Sequence, residues 1–265
     1  MDERKIILDA LENPEVLEKV VSRRDAFGSM GAWGAGLALA SVPVALAAMT
    51  KRAFAQTALP DQVINVLNFA LVLEYLEAEF YNRGLAAEGL IPPDLRDVFE
   101  TISRHENAHV AFLMAVLGAQ AARRPAFDFT AGGMFPDVFT NFGTFVTLAQ
   151  GFEDTGVRAY KGQAPKLLGS PVILTAALRI HSVEARHASM VRRLAASPAE
   201  EGWIPFDNTD VAALRPVYEG EANVVHAGIN AAEVTDEPLE AVTEAFDEPL
   251  GLREVLAIAG MFGQR

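Results

Sequence analysis

Cysteine is absent from the 265-residue chain, which removes disulfides, thiolate metal sites and cysteine nucleophiles together. The redox compartment is left undetermined by that criterion, and any metal must be held by Glu, Asp and His. Positive charge is also scarce: 22 Lys and Arg stand against 35 Asp and Glu, a net charge of −13. A surface of that sign repels a phosphate backbone, so wrapping or reading nucleic acid is excluded as a role. Apolar residues are not lacking. At 51% of the chain they allow one well-buried domain plus extensions and exclude general disorder.

One long uncharged run occurs, residues 30–49, MGAWGAGLALASVPVALAAM. Its length suits a bilayer, although it is rich in Ala and Gly rather than Leu. Ser22, Arg23, Arg24, Asp25, Ala26 and Phe27 precede it, and Ala53-Phe54-Ala55 follows. A basic pair, an apolar region and a small-x-small site form the layout of an export signal. Residues 1–55 resemble a twin-arginine signal, with Lys51 and Arg52 disfavouring the general secretory route. Cleavage would leave Gln56 first, and an uncleaved membrane anchor is the alternative. The segment carries seven basic and seven acidic residues, so its removal leaves the net charge unchanged.

From residue 61 the chain reads as long helices. Val63, Val66, Leu67, Ala70, Leu73, Leu76 and Phe80 recur at three- and four-residue steps and define a helix over about 62–87. Ile91-Pro92-Pro93-Asp94 ends it, and a second helix runs from Pro93 or Asp94 to Leu117, before Gly118. Residues 121–136 have two prolines, a Gly pair and no sustained period, and read as a long connection. A third helix is expected over about 137–161, and a fourth from Gly169-Ser170-Pro171 to about Ser197.

The second pair of helices repeats the first. Glu74 is followed by Tyr81 at i+7, and Glu153 by Tyr160 at i+7. Glu106-Asn107-Ala108-His109 lies 32 residues beyond Glu74, and Glu184-Ala185-Arg186-His187 lies 31 beyond Glu153. Residues at i and i+3 of a helix share a face with β-carbons about 5–6 Å apart. Each Glu-x-x-His can therefore clamp a cation with one oxygen and one nitrogen, and Glu74 and Glu153 supply the remaining carboxylates. Burying four carboxylates uncompensated costs several kcal/mol of lost solvation for each. Two divalent cations cancel those four charges, so the apolar neighbours of Glu74 themselves argue for metal.

One Glu from each of two helices and Glu-x-x-His from each of two others is the constellation of ferritin-like dimetal proteins. The chain resembles that superfamily over about residues 60–197, and within it the exported, twin-arginine-dependent, desiccation-related ferritin-like proteins. The resemblance implies an all-α, ferritin-like four-helix bundle over residues 56–197, with a long crossover between helices 2 and 3. It implies two iron or manganese ions on Glu74, Glu106, His109, Glu153, Glu184 and His187, iron and manganese both suiting such a set. Residues 198–265 are expected to be a carboxy-terminal extension of short helices, the clearest at about 210–220, 240–246 and 252–261. They pack on the bundle or on a partner subunit, as a cap, a lid or a homodimer contact.

Tyr81 and Tyr160, two turns above their glutamates, read either as donors to a ligand carboxylate and sources of an electron, or as packing aromatics. Glu77 lies about 60° round the helix from Glu74 and corresponds to Gly156 in the repeat. It is expected behind the ligands or in solvent, and Glu79 in solvent. His105 and His181 fall off the ligand strip and read as boundary residues, and nothing places His226.

The expected function is redox chemistry on a small substrate, dioxygen or hydrogen peroxide, by an exported periplasmic or envelope protein in stress protection. No membrane association is expected of the mature form. The alternative is a non-catalytic metal-binding or desiccation-protection protein with structural metals.

Overall fold

The computed structural model describes residues 59–195, 202–207 and 209–264; the signal expected at 1–55 lies outside them. Four long helices form the centre of the described residues: α1, Asp61–Ala86; α2, Arg96–Leu117; α3, Phe142–Gln163; and α4, Pro171–Ala195. The helices pack as two hairpins, α1 with α2 and α3 with α4, joined face to face through α1 and α3. Among the described residues no helix is long and apolar enough to cross a membrane.

The third helix begins at Phe142 rather than near residue 137. Residues 137–141 close a turn in which the Thr140 and Asn141 amides donate to the Asp137 carbonyl. Asn141 is extended, and its side-chain oxygen accepts from the amides of Gly143 and Thr144 at 2.9 and 3.3 Å. That is an N-cap, and it sets the helix start. The second helix likewise opens at Arg96 because the Leu95 amide closes a turn onto the Pro92 carbonyl.

Helices α1 and α3 are buried almost all round their middles, from Leu73 to Ala78 and from Gly151 to Tyr160. Three layers cover them. The partner helices take one side. The crossover takes another, through Phe127, Phe129 and Phe135, with Phe129 and Phe139 on the Phe80 ring at 5.4 and 5.8 Å. The carboxy-terminal extension covers α3.

That extension contains a single turn, α5, Arg215–Tyr218; a two-strand hairpin, β1 Val225–His226 against β2 Ile229–Asn230; and helices α6, Leu239–Glu244, and α7, Leu252–Gly260. The helix expected over 210–220 shrinks to a 3-10 turn at Ala212–Leu214 followed by α5. The hairpin escapes prediction because strands of two residues carry no period. Its turn has positive φ at Ala227 and Gly228, 52° and 81°, the geometry of a two-residue hairpin loop. His226 sits there, stacked on Phe246. The chain end is pinned to the crossover: the Asp128 amide donates to the Phe262 carbonyl at 2.7 Å and the Gln264 amide to the Ala126 carbonyl at 3.1 Å.

Arg158 ties the extension to α3. It is 1% exposed. Its guanidinium donates to the carbonyls of Glu248 and Glu219 at 2.8 Å and to that of Val217, and lies 2.7 Å from the buried carboxylate of Glu221. Four residues on, the Leu250 carbonyl lies where a Cβ on Gly162 would stand, so only glycine permits that approach. Arg158→Met strands the Glu221 charge and three carbonyls. We expect a loss of about 3–5 kcal/mol, read as a fall in Tm of about 10 °C. Arg158→Met with Glu221→Met removes the stranded charge but not the unpaired carbonyls, and should recover part of the loss; a double variant as unstable as the single would show that the pair's charge is not the cause.

Candidate metal centre

Glu74 on α1, Glu106 and His109 on α2, Glu153 on α3, and Glu184 and His187 on α4 converge midway along the bundle. The four carboxylates are 0% exposed and His187 is 5% exposed. Their atoms form two groups that share members. Glu74, Glu106, His109 and Glu184 make one, and Glu106, Glu153, Glu184 and His187 the other; each offers ligand atoms all within 4.8 Å of one another. Glu106 and Glu184, the glutamates of the two Glu-x-x-His pairs, lie between the groups, while Glu74 with His109 and Glu153 with His187 terminate them.

The imidazoles enter through Nδ1. His109 Nδ1 lies 3.2 Å from Glu74, 3.1 Å from Glu106 and 3.0 Å from Glu184. His187 Nδ1 lies 2.8 Å from Glu106, 3.3 Å from Glu153 and 3.9 Å from Glu184. Several of these atoms are close without the alignment of a hydrogen bond: Glu106 Oε1, Glu153 Oε2, both Glu184 oxygens and His187 Nδ1 are buried with no hydrogen-bond partner. Buried polar atoms left in that condition are costly. Lone pairs from three chain segments facing one small space are what a cation satisfies.

Proton affinities record the same crowding. Burial pushes Glu74 up to about 8, with His109 opposing and Glu184 and Glu106 adding to it. Burial raises Glu153 well above the usual carboxylate range despite His187. Glu184 moves the other way: burial would raise it, but the nearby charges of His109 and His187 outweigh that and hold it low. Burial disfavours charge on His187, yet Glu153, Glu106 and Glu184 pull it up to about 12. Without a cation, the cluster holds protons in its place, and metal uptake must release them.

The tyrosines cross the bundle. The Tyr81 hydroxyl donates to Glu153 Oε1 at 2.6 Å, and the Tyr160 hydroxyl donates to Glu74 Oε1 at 2.5 Å. Each phenol therefore orients the terminal carboxylate of the other repeat, not the one two turns below it. Burial and that carboxylate keep both phenols protonated.

Glu77 takes the first of its two expected places, behind the ligands, and His105 stands elsewhere than expected. Glu77 does not face solvent: it is 3% exposed, and burial together with the charges of Glu184, Glu153, Glu106 and Glu74 raises it well above the usual range. Gly156 makes this possible, since a Cβ there would lie 3.1 Å from a Glu77 oxygen and 3.6 Å from one of Glu184. An acid opposite a glycine in the repeat was the available signal. His105 is not an idle boundary residue: its Nδ1 lies 2.9 Å from His187 Nε2. That partner is 82 positions away, beyond any local pattern. Glu79 stays partly exposed beside Arg83, and His181 is half-buried, its Nδ1 without a hydrogen-bond partner.

Asp154, next to Glu153, turns away from the cluster and is also buried. It accepts from the Tyr218 hydroxyl at 2.7 Å and from Arg192 at 2.5 Å, binding α3 to α4 and to α5.

The family model for the ferritin-like domain matches residues 62–197, a span that holds all six converging residues. No curated protein matches the chain.

Proposed function

The chain belongs to the ferritin-like domain family, and from that premise we propose that it holds two iron or manganese ions and uses them on dioxygen or hydrogen peroxide as an exported protective oxidoreductase. The observation that carries the reading is the set of unpartnered buried oxygens and one nitrogen around two overlapping ligand groups. When bound, two such ions exchange two electrons with dioxygen or peroxide, each changing by one unit.

The chain's own residues supply the rest. Glu106 and Glu184 each present oxygens to both groups. Tyr160 and Tyr81 fix the rotamers of Glu74 and Glu153 by donating to one oxygen of each, so that Glu74 Oε2 faces His109 Nδ1 and Glu153 Oε2 is left without a hydrogen-bond partner. Glu77 is buried beside Glu184, where burial and the neighbouring carboxylates favour its protonated form. Leu71, Ala78, Phe80 and Phe99, each 0% exposed, keep bulk water from the bundle.

Purified full-length protein loaded with Fe2+ or Mn2+ should consume peroxide, or dioxygen in the presence of a reductant, at a rate proportional to its metal content. Folded, metal-loaded protein with no turnover of either would reject the redox reading in favour of structural metals. Export belongs to the same proposal and rests on Arg23, Arg24 and the apolar stretch at 30–49. Arg23→Lys with Arg24→Lys should leave the protein in the cytoplasmic fraction; unchanged export would contradict the twin-arginine assignment.

A further inference from the structure

The two ligand groups are related by the sequence repeat but are not equivalent. His187 enters the cluster through Nδ1, which leaves Nε2 on the far side of its ring. There it meets His105 Nδ1 at 2.9 Å. The ring planes differ by 14° and the centroids are 5.2 Å apart. That separation is about the N···N distance plus the two ring radii, so the imidazoles lie edge to edge, nearly coplanar, in the arrangement of a straight hydrogen bond. His105 itself reaches the surface.

In the repeat Glu106 corresponds to Glu184 and His109 to His187, so the counterpart of His105 is Val183. A valine side chain has nothing to offer an imidazole N–H. The chain thus equips one of its two imidazoles with an outer histidine and leaves the other without its equivalent.

We propose that His105 is a positioning residue for His187, fixing its ring and tautomer so that the Glu153–His187 position binds metal more tightly than it otherwise would. The inference rests on the dimetal reading above. A neutral imidazole that gives Nδ1 to a cation carries its proton on Nε2, and here that N–H donates to His105 Nδ1. The bond locks the ring's rotation about its own axis and leaves Nδ1 aimed into the cluster. It also makes Nδ1 a more basic donor, as partners behind metal-bound histidines do.

Anaerobic titration of the full chain with Co2+, a divalent ion with visible d–d bands, tests this. The parent chain should take up two Co2+. His105→Leu should weaken one of the two by about 10–100-fold and leave the other essentially unchanged. In proton NMR of the Co2+-loaded chain, one shifted exchangeable imidazole N–H should trade with solvent much faster in His105→Leu than in the parent. His105→Asn, whose side-chain oxygen can accept the same N–H, should restore most of the affinity and slow the exchange again; its failure to do so would overturn the proposal. Equal weakening of both ions, or no weakening of either, in His105→Leu would overturn it while leaving the dimetal reading intact. A parent chain that takes up no Co2+ would overturn both.

Discussion

Replacing Glu106 and Glu184 with Ala in one chain should abolish binding of both metal ions, lowering affinity by at least about 1,000-fold at each position, where loss of a residue behind a ligand costs about 10–100-fold. The size of the effect follows from sharing: these two residues belong to both ligand groups, whereas Glu74, His109, Glu153 and His187 each belong to one. Glu74→Ala or Glu153→Ala should instead weaken one ion more than the other. The double variant should stay helical, because Glu74 and Glu153 remain beside His109 and His187 to compensate their charge. Equilibrium dialysis against Fe2+ or Mn2+, with circular dichroism on the same samples, reads both quantities. Glu79→Ala, on a partly exposed acid that lies 3.9 Å from Arg83, serves as the control. Two ions tightly retained by the Glu106/Glu184 variant would refute the ligand assignment.

Metal should also decide the protein's stability, and pH should decide by how much. Glu74 keeps its proton up to about pH 8 in the folded metal-free chain, against 4.5 for an ordinary glutamate. Between those values the folded state holds a proton that the unfolded state has lost, so stability falls as pH rises. His187 acts in the same direction from its ordinary 6.5 to about 12, and Glu77 and Glu153 are raised as well. Glu184, held low, adds stability only above its own depressed range and is already ionised across this window. Metal-free protein should therefore melt at a lower temperature at pH 8 than at pH 5. Cations reverse this, since they replace the protons. Free metal at a thousand times Kd contributes about 4 kcal/mol per site. Two sites amount to about 8 kcal/mol, or about 15–30 °C in Tm for a chain of this size. The gain should be largest at pH 8 and shrink toward pH 5, where protons compete. Scanning calorimetry with and without Mn2+ at the two pH values checks it; an equal gain at both, or a metal-free chain more stable at pH 8, would contradict the proton bookkeeping.

Much of this centre is legible from local pattern because both of its determinants are local. Helical periodicity places Glu106 with His109, and Glu184 with His187, on one face, and the doubled Glu, Tyr, Glu-x-x-His order marks which helices face each other. The helix spans are readable for the same reason, down to the last turns. The start of α3 differs because capping by Asn141 overrides an apolar period that continues through residues 137–141. What periodicity does not carry is contact between distant segments. His105 meets His187 from another helix, Tyr81 and Tyr160 reach carboxylates of the opposite repeat, and Arg158 closes on carbonyls some 60 to 90 positions away. The β1–β2 hairpin is too short to alternate. The inward turn of Glu77 depends on a vacancy at Gly156, on a helix that contacts α1 only after folding.

Anomalous diffraction from crystals of the full chain loaded with Mn2+ or Fe2+ would go furthest toward deciding whether these side chains form a dimetal centre. Two anomalous peaks should lie about 3.5–4 Å apart, one among Glu74, His109, Glu106 and Glu184, the other among Glu153, His187, Glu106 and Glu184. A map without peaks inside the bundle, from protein shown to be folded and exposed to metal, would mean that the buried carboxylates are neutralised by protons alone.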